Sequence, residues 1–349
     1  MNDASAGPSS GREGKLADWR LIDLGRCEPV RAQAFAESVA ESVATGEVPN
    51  TLLLAQPASP YISLGFHQSF VEEVDPRFLE RRPVPVIRRV EGGGTTWLDP
   101  DQWFYELVYR DEDGGRGGPP DLERFLAAPV RAARDLGLAV VLHPPSDLVV
   151  GDRKVSGNAG GDWAGAHVLV GGFLGRADHG AMADLLRLPH PGVRPILRTE
   201  IERWVTSWEA ETRKLPSWGA LCERLVEAFR ALRLFRAHLG TPTPVEESRF
   251  RTETVPRHED PEWREQPPVP KPSGPLSRRI RVAGPHGLLV FGDSASGGMT
   301  VAVVDGPETR AGYRLDGLPS DRPRRLVPGS EEFEHLRTEV HAAVGAPSS

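Results

Sequence analysis

Short apolar segments that alternate with polar residues dominate the first third of the chain. Such alternation predicts β-strands with one buried face. Segment 103–109 carries the strongest strand signal, because it is rich in aromatic and β-branched residues. Between the first two strands, apolar residues recur at helical spacing and predict a helix over 29–45. The strands predicted here are 19–24, 51–55, 61–65, 83–90 and 103–109.

The next part of the chain, up to about residue 240, mixes short strands with helices. Strands that follow one another in pairs, with the helices set apart from them, indicate an α+β fold. We therefore predict a mixed, largely antiparallel sheet with packed helices, and not a doubly wound parallel sheet. The strands predicted in this part are 138–142, 148–150 and 168–174, and the helices are 122–136, 181–188, 199–203 and 218–232.

Changes in composition divide the chain into four regions. Residues 1–17 are small and polar and predict a disordered tail, and residues 18–240 form the main domain. Residues 241–276 contain nine prolines, many charges and little periodicity, which predicts an extended linker. Residues 277–349 contain three strand patterns and a final helical pattern, and we predict a small α+β accessory domain there.

Charge and cysteine content exclude several classes of function. The formal net charge of the 349 residues is −7, so a general nucleic-acid or anionic-membrane binder is disfavoured. No segment approaches the ~20 apolar residues that span a membrane, and the first residues lack the apolar core of a secretory signal. Cys27 and Cys222 are the two cysteines, which is too few for a disulfide framework and indicates a reduced, cytoplasmic protein.

A glycine run follows the strand predicted at 83–90. Arg88 and Arg89 precede the triple glycine 92–94, so cationic side chains and bare backbone N–H groups are offered together. The run is followed by an extended segment, and it therefore matches neither the dinucleotide-binding fingerprint nor a P-loop. A flexible turn beside two solvated arginines is the alternative interpretation.

A single lysine stands among small residues about sixty positions later. Lys154 follows a predicted turn and precedes residues 156–159, whose small side chains leave room for a ligand. Asp147 begins the strand that leads to it, and could orient the lysine, help to hold a divalent ion or cap a turn. Together with the glycine run, this lysine suggests a site for an acyl phosphate.

Five motifs, in this order and spacing, resemble the lipoate–protein ligase family of the biotin/lipoate ligase superfamily. They are 19–23 (WRLID), 63–68 (SLGFHQ), 88–94 (RRVEGGG), 146–150 (SDLVV) and 151–159 (GDRKVSGNA), and 203–207 continues the match. The resemblance covers roughly residues 18–235. It implies a biotin/lipoate ligase-like fold, and residues 277–349 are weakly similar to the accessory domain that some ligases carry.

The resemblance also implies an activity. Lipoate or octanoate would be activated with ATP and Mg²⁺ to an acyl-adenylate, and the acyl group would pass to a lysine of a lipoyl carrier domain. Lys154 would be the catalytic residue, stabilising charge on the carboxylate and the α-phosphate. The residues implied to bind substrate or adenylate are Arg88, Arg89, Gly92, Gly93, Gly94, Asp147, Ser156, Gly157, Asn158 and Ala159, with Asp147 also a candidate for the metal.

The sequence departs from the family pattern in three places. Glu91 stands where the family has Ser or Thr, and a carboxylate there would repel an anionic ligand, so Glu91 must point away, pair with Arg88 or Arg89, or indicate an altered ligand. Leu98 replaces a histidine before Asp99, and Val170 falls where the family has the histidine of a His-Gly-Thr strand.

Two alternative functions remain open. An octanoyltransferase of the same fold needs a cysteine nucleophile, and Val141 falls about where that cysteine would be. Cys27 and Cys222 lie elsewhere in the chain. A non-catalytic relative that binds a lipoyl carrier or a lipoyl compound is suggested by Glu91, Leu98 and Val170.

Overall fold

The computed structural model describes most of the chain in five stretches. The predicted tail over residues 1–17 falls almost wholly outside them. No helix in the described stretches is long and apolar enough to cross a membrane. The five stretches are residues 16–110, 122–266, 276–292, 298–316 and 322–345.

The main domain alternates strands and helices up to β11. Its first elements are β1 (Asp18–Cys27), α1 (Pro29–Ala44), β2 (Thr51–Pro57), β3 (Tyr61–Leu64), α2 (Phe70–Glu73), α3 (Pro76–Arg81), β4 (Val86–Arg88), β5 (Thr96–Leu98), β6 (Gln102–Tyr109) and α4 (Leu122–Asp135). They are followed by β7 (Val141–His143), β8 (Asp147–Val150), β9 (Arg153–Trp163), β10 (Ala166–Leu174), α5 (His179–Asp184), α6 (Val193–Trp204), α7 (Trp208–Thr212), α8 (Trp218–Ala231) and β11 (Arg236–Leu239).

Eight strands form the main sheet, in the order β11-β1-β2-β6-β10-β9-β8-β7. Every neighbouring pair from β2 to β7 is antiparallel, and the two pairs made by β1 are parallel. The prediction of a mixed, largely antiparallel sheet in an α+β fold is therefore confirmed. A second sheet of three strands, β4-β3-β5, lies beside it.

Helices cover both faces of the main sheet at its centre, so β6 is buried along its whole length. One face packs α4 and α8 around Trp19, Leu107 and Phe173. The other face packs α1 through Phe35 and Val39. Since side chains alternate along a strand, β6 sends Trp103, Tyr105 and Leu107 to the first face, and Phe104, Glu106 and Val108 to the face under α1.

The prediction of an extended linker over residues 241–276 is wrong for residues 244–264, and residues 267–275 of that segment lie outside the described stretches. Residues 244–264 form helices, bound to the main domain by ion pairs. Glu246 accepts two hydrogen bonds from Arg20, at 2.5 and 2.9 Å, and buried Glu37 pairs with Arg257 and His258. Apolar periodicity does not reveal these helices, because the residues that hold them lie more than 200 positions earlier, although Thr243 and Glu246, with Pro244 between them, form a capping box that marks the start of the first helix. The elements are α9 (Pro244–Arg249), a π-helical turn (Phe250–Thr254), α10 (Val255–Glu259) and α11 (Pro261–Arg264).

The C-terminal module is the predicted small α+β unit. One face of its five-stranded antiparallel sheet packs on α12, and the other joins the apolar cluster of α5 and α6 through Ile280, Leu288 and Val290. The patterns at 279–283, 287–291 and 299–304 are confirmed as strands. Its elements are β12 (Leu276–Ala283), β13 (His286–Gly292), β14 (Met299–Asp305), β15 (Glu308–Leu315), β16 (Arg324–Arg325) and α12 (Glu331–Gly345).

The buried pair of Arg20 and Glu246 gives a test of how residues 244–264 are attached. Replacing Glu246 by Ala leaves a guanidinium buried without its counter-charge, and we expect the free energy of unfolding to fall by about 3–5 kcal/mol. Urea denaturation followed by tryptophan fluorescence measures this change. The matched control is Glu332→Ala, which removes an exposed pair with Arg324 and should cost ~0–1 kcal/mol. Equal losses in the two variants would contradict this attachment.

Candidate functional site

One cavity of about 320 Å³ brings most of the predicted site residues together. It lies against the main sheet on the side of α1, and it extends to α5, α6 and β12. Towards α6 and β12 its wall is apolar, with Met182, Ile201 and Ile280. Towards α1 the wall mixes polar side chains with apolar Ala32 and Phe104, and we call this the polar end. The residues that line this second end include Gln33, Ser63, Arg89 and Glu106.

Lys154 lies on the cavity wall near the start of β9. Its carbonyl accepts a hydrogen bond of 2.8 Å from the N–H of Thr206, so the segment after α6 fixes its backbone. The side chain lies across Gly157, where a Cβ would stand 3.1 Å from the Lys154 Nζ. A side chain at position 157 would therefore crowd the ammonium group where it lies against the sheet.

Asp147 is the partner of this lysine. Its Oδ1 lies 2.8 Å from Lys154 Nζ, and its Oδ2 accepts a hydrogen bond of 2.8 Å from the N–H of Gly284. Burial disfavours ionisation, but the charge and hydrogen bond of Lys154, the Gly284 N–H and nearby Arg281 lower the pKa of Asp147 overall. The turn between β12 and β13 therefore closes over the pair from the accessory module.

The glycine run forms a tight loop whose carbonyl groups are held by Arg89. The five N–H groups of this buried guanidinium donate to Ser63, Gly92 and Gly94 at distances of 2.7 to 3.2 Å. The loop also touches the segment after β3, since a Cβ at Gly65 would stand 2.0 Å from the Gly93 carbonyl oxygen. Gly93 has a φ of +94°, which favours glycine.

Arg88 does not line the cavity. It is 1% exposed and donates to the carbonyl groups of Phe66, Trp263 and Arg264 at 2.6 to 2.8 Å. Burial lowers the pKa of both Arg88 and Arg89, and for Arg89 the nearby Glu91 and Tyr61 oppose this effect. Both guanidinium groups are therefore used to hold backbone, and the expected bidentate hold on a phosphate has no support in this geometry.

The residues 156–159 of β9 do not all face the cavity. Gly157 and Ala159 line the cavity, and so does Asn158, whose amide group bonds Tyr105 and the carbonyl of Ser146. Ser156 is fully buried outside the cavity, so its predicted contact with substrate has no support. Of the predicted set, Arg88, Gly92 and Ser156 lie outside the cavity wall, and Arg89, Gly93, Gly94, Asp147, Lys154, Gly157, Asn158 and Ala159 lie on it.

The departures from the family pattern take different positions. Leu98 and Val170 line the cavity. Glu91 does not, and its carboxyl group is buried with one oxygen unpartnered among the described residues. Burial and the neighbouring Glu37 raise the pKa of Glu91 to about 7, against the opposing effect of Arg89 and its own backbone N–H.

Sequence reasoning missed Glu106, which lines the cavity with 3% exposure. A charged residue in the middle of the most apolar strand was the available signal, because unpaired glutamates are almost never fully buried.

Metal ligands and nucleophiles are scarce in the described stretches. No group of three or more His, Cys, Asp or Glu side chains there could hold a metal ion. Asp147 pairs with Lys154 and accepts from the N–H of Gly284, and it belongs to no such group among the described residues, so a magnesium site on Asp147 has no support. Neither cysteine lines the cavity, and burial raises the pKa of the Cys27 thiol to about 11 and that of Cys222 to about 12.

The chain is similar to known proteins in both sequence and fold. Residues 28–230, more than half of the chain, match the family model of the lipoyl protein ligase A/B catalytic domain. Octanoyltransferase LipM of Moorella thermoacetica is 25% identical over 254 residues, which cover 67% of this chain and 93% of that protein. The structure of a bi-partite lipoate protein ligase from Thermoplasma acidophilum matches with a TM-score of 0.63 at 20% identity, covering 73% of this chain and 99% of that one. Lipoate-protein ligase A bound with ATP matches with a TM-score of 0.59 at 19% identity, covering 72% and 99%.

The raised pKa of Glu91 predicts how stability changes with pH. Between about pH 4.5 and 7 the unfolded chain ionises this carboxyl group and the folded chain keeps it protonated, so the parent loses stability as pH rises. Glu91→Gln removes this loss. We expect the unfolding free energy of the variant, relative to the parent, to increase by about 2–3 kcal/mol from pH 5 to pH 8.

Urea denaturation at the two pH values measures this difference. The matched control is Glu202→Gln at an exposed position, whose relative stability should change by less than ~0.5 kcal/mol. A pH-independent difference between Glu91→Gln and the parent would show that Glu91 is ionised in the folded protein.

Proposed function

Because the chain belongs to the lipoyl protein ligase A/B catalytic-domain family, we propose that it is an ATP-dependent ligase of the lipoate–protein ligase type. It activates lipoate or a related acyl acid as an acyl-adenylate, and then transfers the acyl group to a lysine of a lipoyl carrier domain. The observation that supports this proposal is that the Lys154 ammonium group and the glycine loop face one cavity, which has an extended apolar wall.

In the first step a carboxylate oxygen of the acid attacks the α-phosphorus of ATP. The bond from that phosphorus to the bridging oxygen breaks, and pyrophosphate leaves. Negative charge is concentrated where the carboxylate meets the phosphate, and Lys154 supplies the positive charge there. The N–H groups near Gly93 and Gly94 can donate to the same anion, because the loop carbonyls are already held by Arg89.

In the second step the amine of the carrier lysine attacks the acyl carbon. An amide bond forms, the bond between the acyl carbon and the phosphate oxygen breaks, AMP leaves, and the amine releases a proton to solvent. Catalysis of both steps then rests mainly on positioning and on fixed charge. The neighbour solved with ATP and the one described with its E2 lipoyl domain support the choice of co-substrate and acceptor. The two free cysteines fit a reduced, cytoplasmic setting.

An octanoyltransferase is the second candidate, because LipM of Moorella thermoacetica is similar over most of its length. That reaction would form a thioester on a cysteine, which is deprotonated before it attacks. This chain has two cysteines, both away from the cavity and both with a raised thiol pKa. The absence of a suitable thiol favours the ATP-dependent route.

Adenylate formation tests the proposal. Purified protein is incubated with ATP, Mg²⁺ and lipoate or octanoate, and acyl-adenylate is followed by mass spectrometry. We expect the parent to form it, and we expect Lys154→Ala to be slower by about 10²–10³, as for other fixed charge stabilisers. Lys214→Ala is the control, because Lys214 is exposed on the surface.

A double variant separates catalysis from folding. Lys154→Ala leaves Asp147 buried without its lysine, whereas Lys154→Ala combined with Asp147→Asn removes that unpaired charge. Loss of activity in both variants, with unfolding midpoints near that of the parent, supports a role in the reaction. An octanoyl thioester on the parent without ATP would overturn the proposal in favour of a transferase. Binding of a lipoyl carrier without any adenylate would indicate a non-catalytic relative.

A further inference from the structure

The polar end of the cavity contains a buried carboxyl group that the proposed reaction does not use. Glu106 lies in the middle of β6, is 3% exposed and lines the cavity under α1. It has no hydrogen bond or ion pair with any residue that the structure describes. Buried polar groups in folded proteins nearly always have a hydrogen-bond partner. A ligand in the cavity could supply the partner that Glu106 lacks among the described residues.

Glu106 differs from the buried residues Glu37 and Glu91 in the charged groups that surround it. Glu37 is paired with Arg257 and His258, and Glu91 has Arg89 beside it. Glu106 has carboxyl neighbours and no comparable cation. Burial, together with Glu91 and Glu37, raises the pKa of Glu106 well above its usual range. In its protonated form the group has one O–H donor and one carbonyl acceptor.

Gln33 on α1 adds a second polar group to the same end. Its Oε1 accepts hydrogen bonds from Tyr61 Oη at 3.2 Å and from Ser63 Oγ at 2.7 Å, which fixes the direction of the amide group. The Gln33 Nε2 has no acceptor among the described residues. Glu106 and Gln33 therefore offer both acceptors and donors to whatever fills this end.

The geometry of the sheet indicates how far Glu106 lies from the site of the Lys154 ammonium group. The ammonium group lies over Gly157, and Ala159, two residues further along β9, is in register with Val170 and through it with Glu106. Two residues along a strand and two strand spacings across place the Cα atoms of Gly157 and Glu106 about 12 Å apart. On this backbone estimate, a medium-length acyl chain whose carboxylate lies beside Gly157, at Lys154, reaches the neighbourhood of Glu106.

We propose that the acid activated by this protein carries an amide- or urea-type group at the end opposite its carboxylate. The N–H of that group donates to Glu106, and its carbonyl oxygen accepts from Gln33 Nε2. This assignment rests on the proposed activation of an acid at Lys154, and it names a substrate class more polar than a lipoyl or octanoyl chain. A hydrocarbon tail would cover Glu106 and Gln33 and leave both without partners.

A matched pair of acids tests this preference. The monoamide of octanedioic acid and 8-methylnonanoic acid have the same shape, and differ in carrying a terminal amide or a terminal isopropyl group. Calorimetric titration without ATP measures binding of each to the parent protein. We expect the amide to bind at least tenfold more tightly than the hydrocarbon acid and more tightly than lipoate. Tighter binding of 8-methylnonanoate or lipoate by the parent would overturn the inference.

Two variants of Glu106 sharpen the test. Glu106→Gln keeps one donor and one acceptor and should retain the preference for the amide. Glu106→Leu removes both and should reverse the preference. If Glu106→Leu fails to fold, the comparison of the two acids on the parent still decides. An unchanged preference in a folded Glu106→Leu protein would overturn the role of Glu106.

Adenylate formation with the same acids separates this inference from the proposed function. Adenylate formed equally well from lipoate and from the amide would sink the inference and leave the ligase proposal standing. Preferential binding of the amide with no adenylate from any acid would do the opposite, keeping the ligand class and rejecting the ligase.

Discussion

The geometry of the cavity depends on the hydrogen bonds of one buried guanidinium group. Arg89 donates to the carbonyls of Ser63, Gly92 and Gly94, and so ties the glycine loop to the end of β3. Gly92 is half-buried and Gly93 and Gly94 are exposed, so it is the buried Arg89 that needs these carbonyl acceptors. Its hydrogen bonds hold the loop where it turns at Gly93 and passes within contact distance of Gly65. The ligand space is what remains between this fixed loop and β9.

The second constraint is that one face of β9 carries Gly157, Ala159 and Gly161 in succession. A Cβ at Gly157 would stand 3.1 Å from the Lys154 Nζ, and a Cβ at Gly161 would stand 3.3 Å from the Val90 carbonyl oxygen, beneath the loop. This strand thus leaves room both for the lysine and for the loop. The C-terminal module covers the Lys154 and Asp147 pair. Gly284, in the turn after β12, and Arg281, on β12, both approach Asp147. Access to the lysine therefore depends on how the module sits on the main domain.

Local sequence patterns predicted most of the fold, because they report burial and backbone preference directly. The aromatic strand at 103–109, the helix at 29–45 and the lysine turn at 151–154 all follow from their own residues. These local patterns do not show which polar residues pair over long sequence distances. The helices at 244–264 are held by Arg20 and Glu37, and no periodicity in that segment records those partners. Strand β11 was missed for the same reason, as its pairing with β1 is visible only in the fold.

The same limit explains which site residues could be predicted. Lys154, Asp147 and the glycines have motif neighbours that point to a close approach of chain and ligand. Arg88 and Arg89 carry the charge expected of phosphate ligands, but the sequence could not show that backbone carbonyls use their N–H groups. Burial decides the role of an arginine, because a buried guanidinium must find several acceptors wherever they are nearest.

The departures from the family pattern separate the reacting centre from the wall that meets the substrate. Leu98 and Val170, two of the three departures, line the cavity together with Glu106, whereas the Lys154 and Asp147 pair and the three glycines of the loop keep their motif residues. Glu91, the third departure, does not line the cavity. Changes of this kind alter which acid fits while leaving the charged centre intact. A substrate wall that carries an unpaired carboxyl group is therefore better explained by a change in the acid recognised than by loss of the reaction.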